Sequence, residues 1–248
     1  MKKALITAAS VLFWLLVWHF AAVAMDQKIL LASPLSVAER LWVLIREADF
    51  LSSIAFSLGR ILLGFALGLA IGTLLAAIAS KVMFVRQLFA PLISVMKSIP
   101  VASFTILAII WVGSKNLSVL VSVLIAIPII YSNMLEGIDS LDPKLKTMAQ
   151  VFEIPAGKRF FGIYMSQILP YFRSASRLAM GLCWKSGVAA EVIGIPDGSI
   201  GEKLYMSKVY LETEDLFAWT LLIILLSFIC EKLFMLLVDI IVRRVERM

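Results

Sequence analysis

Long apolar blocks separated by short charged ones run the length of this chain. A helix needs about 20 mostly apolar residues to cross a bilayer, and six stretches reach that length, at roughly 4–25, 53–80, 88–111, 117–136, 171–194 and 214–242. The last carries Glu231, Lys232 and Asp239 near its end and is expected to project beyond the bilayer. The first follows Lys2 and Lys3 and ends in Ala22-Val23-Ala24, the small-residue pattern of a cleavage site. A secretory signal has an apolar region of only about 7–15 residues. This one is longer, holds Trp14 and Trp18 and precedes further spans, so it is expected to stay as a first helix.

Finer periodicity adds detail. Gly64, Gly68 and Gly72 lie four apart on one face of the second block, where small residues let another helix backbone approach closely. Pro100 and Pro128 fall inside the third and fourth blocks. Each removes a helical hydrogen bond, and in lipid such breaks survive where neighbours or a cavity satisfy the freed carbonyl. Between the first two blocks, Val37, Leu41, Leu44 and Ile45 fall on one side of a helix over 34–50. The polar segment 137–170 holds a short helix: Asp142-Pro143 reads as an N-cap followed by proline at the first helical position. Leu145, Met148, Ala149 and Phe152 then form an amphipathic stripe. Pro155 limits the helix. Such a stripe either lies flat on a membrane surface or enters the groove of a soluble partner.

Composition confirms the class. Apolar residues make up 61% of the 248, against about 45–50% for soluble domains, and the mean hydropathy is +0.97. The net charge of +6 is of the kind carried by cytoplasmic loops of membrane proteins. No basic run with interleaved aromatics points to nucleic acid. With the N-terminus inside, the inner loops hold Lys81, Arg86, Lys144, Lys146, Lys158, Arg159, and the tail residues Arg243, Arg244 and Arg247. The outer loops hold Lys28, Arg40, Arg46, Lys115, Lys203 and Lys208. That balance, with Arg173 and Arg177 near the inner face, predicts six spans with both termini in the cytoplasm.

Candidate chemistry is sparse. His19 is the only histidine, and Cys183 and Cys230 lie in apolar blocks, so neither a metal cluster nor a His-based catalytic set is expected. No phosphate-binding loop is present, so any ATP must be bound by another chain. Arg60, Lys97, Lys185 and Glu191 are ionisable residues inside spans. A charge at that depth costs at least about 2.5–3.5 kcal/mol on insertion scales and usually faces a cavity or a partner. Lys97, Pro100, Trp184, Lys185 and Glu191 are therefore candidates for a translocation path. The competing reading is a Lys–Glu pair that only fixes packing, or lysines that reach for the interface.

Several motifs, in order, resemble the permeases of ATP-binding-cassette importers of the nitrate/sulfonate/taurine type. Ser57-Leu58-Gly59-Arg60 with Gly64 resembles the start of their core, and Lys97-Ser98-Ile99-Pro100-Val101-Ala102 their R-x-I-P-x-x-A segment. Trp111-Val112-Gly113 is similar to their W-F-G turn, and 194–201 to their Gly-rich stretch. In the family's loop pattern E-A-A-x3-G-x9-I-x-L-P, Thr147-Met148-Ala149 stand at E-A-A, Glu153 at the Gly, Ile163 at the Ile and Met165-Ser166 at the Leu-Pro. Downstream, Pro170, Gly181, Trp184 and Ala190-Glu191 keep the family's distances.

The resemblance implies an all-α polytopic bundle of the type I importer permease kind. Residues 1–50 would form the first membrane helix and an outer segment, and 51–248 the core, with the coupling loop near 137–170. It further implies a non-enzymatic, cofactor-free subunit of the bacterial inner membrane, two copies forming the substrate path. Its partners would be a separate ATPase docked at Leu145, Met148, Ala149, Phe152, Glu153 and Ile163, an external binding protein on the segments 26–50 and 195–215, and lipid. The substrate would be a small anion or organic solute such as nitrate, a sulfonate, taurine or a vitamin precursor. The rival reading is a self-sufficient secondary transporter or channel, against which stands the lack of a repeated half.

Overall fold

The computed structural model describes residues 2–25, 27 and 29–246, with side chains for all of these but 2–4, 146 and 241–246. The orientation residues Lys2, Lys3, Lys28, Lys146, Arg243, Arg244 and Arg247 therefore lie outside what it describes. The described chain is helical, with no strand: α1 (Lys2–Met25), α2 (Pro34–Leu44), α3 (Phe50–Ala79), α4 (Met83–Ser98), α5 (Val101–Asp139), α6 (Pro143–Val151), α7 (Ala156–Arg159), a π-helical turn Phe160–Tyr164, α8 (Met165–Gly194), α9 (Ile200–Val209) and α10 (Thr213–Glu246).

Four helices are long and apolar enough to cross a membrane by length and composition, over Leu5–Met25, Phe50–Ala79, Val101–Asp139 and Thr213–Ile240. The other expected spans depart from that criterion for local reasons. Helix α8 is 30 residues long but carries Arg173, Arg177, Lys185 and Glu191. The stretch 88–111 is interrupted: α4 ends at Ser98, Ile99 and Pro100 are extended, and α5 begins at Val101. Helix α5 is itself two arms, because Gly113 has φ 68° and ψ 170°. In a straight helix Val101 and Ile125 would stand about 36 Å apart. Here both line one small apolar cavity with Phe104 and Val121, so the chain turns back at Gly113. The turn expected at Trp111-Val112-Gly113 thus separates two antiparallel arms.

The core forms where α3, α5 and α8 meet. The glycine face of α3 lies on the second arm of α5. A Cβ on Gly64 would sit 2.5 Å from the Val119 carbonyl oxygen, one on Gly68 2.4 Å from the Ala126 Cβ, and one on Gly72 2.9 Å from the Ile130 Cβ. Ile61, Phe65, Ile130, Met180, Cys183 and Trp184 fill the space around this seam. At one end a second cluster joins α2, the start of α3, α9 and α10 through Val37, Leu44, Phe50, Ile200 and Trp219, with Phe50 and Trp219 rings 5.6 Å apart. Ser33 caps α2 by accepting from the Ser36 N–H at 3.2 Å. The helix stops at Leu44, so Ile45, expected on its apolar side, is exposed beyond its end.

Ion pairs tie elements of like end. Arg40 pairs with Asp215 and holds Glu47 at 3.3 Å, joining α2 to the start of α10. The hydrogen bond that Arg40 donates to Asp215 is the main cause that lifts the Arg40 guanidinium above its ordinary range. At the opposite end, Arg86 reaches Asp139 at 2.7 Å, joining α4 to the end of α5. Arg173 and Arg177 on α8 pair with Asp239 and Glu231 on α10.

The seam gives a direct prediction. Gly68→Ala is expected to lower stability by about 1–3 kcal/mol through overpacking, read as a lower thermal midpoint in detergent. Gly59→Ala, whose Cβ would meet nothing within 4 Å, is expected to leave it unchanged or raise it by helix propensity.

Candidate functional site: a loop helix and a membrane-buried carboxylate

Two groups of expected residues fall at opposite ends of α8. At the loop end, α6 forms over Pro143–Val151 with Pro143 in the first turn, and the Asp142 side chain accepts from the Lys144 N–H at 2.8 Å. The Asp142 N–H donates to Gln167 Oε1 at 3.0 Å, which fastens the loop to α8. The expected stripe divides in two. Ala149 is buried and Leu145 half-buried against the protein's own body, while Met148, Val151 and Phe152 are exposed at 40%, 72% and 73%. Val151 joins the outward surface although it lies off the stripe read from spacing. Ile163 is half-buried in the π-helical turn, a feature with no signal in the periodicity.

Glu153 has a specific backbone role. The Glu153 N–H donates to the Gln150 carbonyl at 3.1 Å and the Ile154 N–H to the Ala149 carbonyl at 3.0 Å. These two bonds are the Schellman ending of a helix, which needs a left-handed residue and usually takes glycine. Glu153 fills that place with φ 47°. The position where the family pattern has Gly is thus one where this backbone calls for Gly.

At the other end, Glu191 is fully buried. Its Oε2 accepts from Ser57 Oγ at 2.6 Å and from the Gly201 N–H at 3.4 Å. Ser57 Oγ in turn accepts from the Ile200 N–H at 3.0 Å. Glu191 Oε1 and the buried Ser118 Oγ make no hydrogen bond. Two turns earlier, Cys183 Sγ lies 3.2 Å from the Ser122 carbonyl oxygen. Trp184 is buried too, and its Nε1 donates to the Ile223 carbonyl at 2.9 Å. Lys97, Pro100 and Lys185 are exposed. The candidates for a path therefore separate into an exposed set and an enclosed pair. Among the described residues no lysine or arginine pairs with Glu191, so the Lys–Glu pair of the competing reading does not form. Ser57 and Gly201 appeared in the sequence motifs without a role, and the structure joins both to Glu191. Between α8 and α10 an open cavity of about 600 Å³ is lined by Ser166, Arg173, Ser174, Arg177 and Asp239; its Arg173–Asp239 pair had no sequence signal, since the partners are 66 residues apart. No group of three or more metal-binding side chains occurs among the described residues.

Comparison with known proteins decides the family. Residues 68–247 match the family described as binding-protein-dependent transport system inner membrane component. The chain belongs to this family. The permease is 25% identical over 219 residues to the putative aliphatic sulfonates transport permease SsuC of Bacillus subtilis, covering 88% of this chain and 78% of that protein. It is 25% identical over 199 residues to the nitrate import permease NrtB of Synechococcus elongatus (76% and 71% covered) and 24% identical over 221 residues to the taurine permease TauC of Escherichia coli (86% and 80% covered). The crystal structure of an amino acid ABC transporter with histidines superposes with a TM-score of 0.58 at 16% identity, over 79% of this chain and 94% of that one. The permease is a multi-pass inner-membrane protein with the type I importer permease fold, a non-enzymatic transport subunit by its family.

Placing Gly where the loop demands it has a measurable effect. Glu153→Gly is expected to relieve about 1 kcal/mol of left-handed strain. Hydrogen exchange of the last α6 amides should slow; unchanged or faster exchange would contradict the strain.

Proposed function

We propose that this permease forms, as a pair of identical copies, the membrane path of an ATP-driven importer for a small anionic solute. The observation that carries the reading is the exposed apolar tip of α6, Met148, Val151 and Phe152, in a chain of the importer-permease family. A short helix presenting apolar anchors suits the groove of a soluble partner, and that partner is a separate ATPase subunit. Leu145 and Ala149 hold the helix to the body, Glu153 ends it and Ile163 links it to α8. The excess of lysine and arginine on this end supports a cytoplasmic side for it and for both termini.

The opposite end, built from α2, α9 and the start of α10, receives an external binding protein. Lys97, Pro100 and Lys185 form the wall met by the solute, with Trp184 and Glu191 supporting it from inside. The relatives are named for aliphatic sulfonates, nitrate and taurine, each with a sulfonate or nitrate group. Exposed lysines at membrane depth suit such a group, because an isolated charge there is costly and a counter-ion offsets the cost.

The test is a mild-detergent pull-down of the tagged permease with mass spectrometry of its partners. An ATPase in near-equal amount is expected. Met148→Asp combined with Phe152→Asp should abolish its recovery while the permease stays in the membrane; intact recovery would exclude docking through α6. Lys97→Gln with Lys185→Gln should cut uptake of the anion severalfold while the ATPase still co-purifies. Undiminished uptake would remove both lysines from the path.

A further inference from the structure

Helix α8 follows the coupling loop at one end and leads into α9 at the other, a reach of about 45 Å for its 30 residues. What joins α9 to its far end is more than the connecting turn. We propose that Glu191 is a positioning residue that makes α9 move with α8, so that closure of an ATPase at the loop end reaches the face where a binding protein docks. The proposal rests on the importer reading above.

Four observations carry it. First, Glu191 and Ser57 together hold the Gly201 and Ile200 N–H groups, two of the donors that the first turn of a helix leaves without partners. The carboxylate thus fastens the start of α9 to both α8 and α3. Second, the contact is made possible by a missing side chain: a Cβ on Gly201 would lie 2.3 Å from the Glu191 Cβ. Third, the turn between the helices is held in uncommon backbone, with Ile195 at φ 47° and Gly198 at φ 75°. A β-branched residue in the left-handed region is an outlier, and it persists where the surroundings over-determine it. Fourth, Glu191 is fully buried beneath α9, so in this state its carboxylate meets no solute. Ser199 adds a cap of its own, accepting from the Glu202 N–H at 2.9 Å. That cap satisfies only one first-turn donor of α9, and the Ile200 and Gly201 N–H groups depend on Ser57 and Glu191, which attach the helix.

The experiment uses the full assembly in lipid nanodiscs, with the ATPase and binding protein recovered alongside the permease. The quantity read is the ratio of ATP hydrolysis with binding protein to that without it. In Glu191→Ala the ratio is expected to fall about tenfold, within the usual range of coupling between sites. Glu191→Gln is expected to keep the parent ratio. Its amide oxygen accepts the same bonds from Ser57 and Gly201. A parent-like ratio in assembled Glu191→Ala overturns the proposal. So does an equal loss in Glu191→Gln, which would assign the effect to charge. If Glu191→Ala does not assemble, Ser57→Ala decides on the same terms: a reduced ratio supports the linkage and a parent-like one overturns it. A parent assembly with no response to binding protein would instead defeat the importer reading itself.

Discussion

The close approach of α3 to the second arm of α5 is the constraint on which the other contacts depend. In lipid, apolar side chains gain little by leaving the surrounding hydrocarbon, so helices associate through packing and hydrogen bonds. Gly64, Gly68 and Gly72 bring backbone against backbone along two turns. That registration places Ser57, one level up on α3, against Glu191. At the level between, Ile61 touches Gly187 of α8, and Ser122 of α5 lies beside both. The polar node and the apolar core are successive layers of one three-helix seam, and neither would register without the glycines.

The fold class and most helix limits were legible because membrane crossing and helix ends have strong local signatures. Asp142-Pro143 announced the start of α6; Gly113 was read as a turn by resemblance, and Pro100 as a kink inside one span, where the structure ends α4 and begins α5. The glycine stripe showed its face, though not which helix would lie on it. What spacing alone missed depends on tertiary neighbours. The stripe Leu145, Met148, Ala149 and Phe152 has one periodicity but two destinations, because the protein's own body takes Leu145 and Ala149 and leaves Met148 and Phe152. Ile45 was placed on a helix that had already ended.

The candidate site was legible in its residues and less so in their roles. Burial cannot be read from a chain position, so Glu191 and Lys97 looked alike as charges in apolar blocks. The structure separates them: Glu191 is enclosed by hydrogen bonds from α3 and α9, while Lys97 is open. Ser57 and Gly201 are small polar or glycine positions of the kind that abound in membrane helices, and only their convergence on one carboxylate gives them meaning. The ion pairs of Arg173 and Arg177 with α10 join residues too far apart in sequence for any local pattern to connect them.

The interruption at Pro100 has an electrostatic consequence where α4 ends and α5 begins. Where α4 stops at Ser98, its final carbonyls have no donors from a next turn, and they stand at the negative end of a helix dipole. The positive N-terminal end of α5, which begins at Val101, stands beside that negative end and offsets part of it. Lys97 lies within the same last turn and reverses the sign. The net field there is thus a balance between main chain and one side chain, set by the length of a helix as much as by the identity of a residue. Lengthening or shortening α4 by a turn would shift that balance even with Lys97 retained.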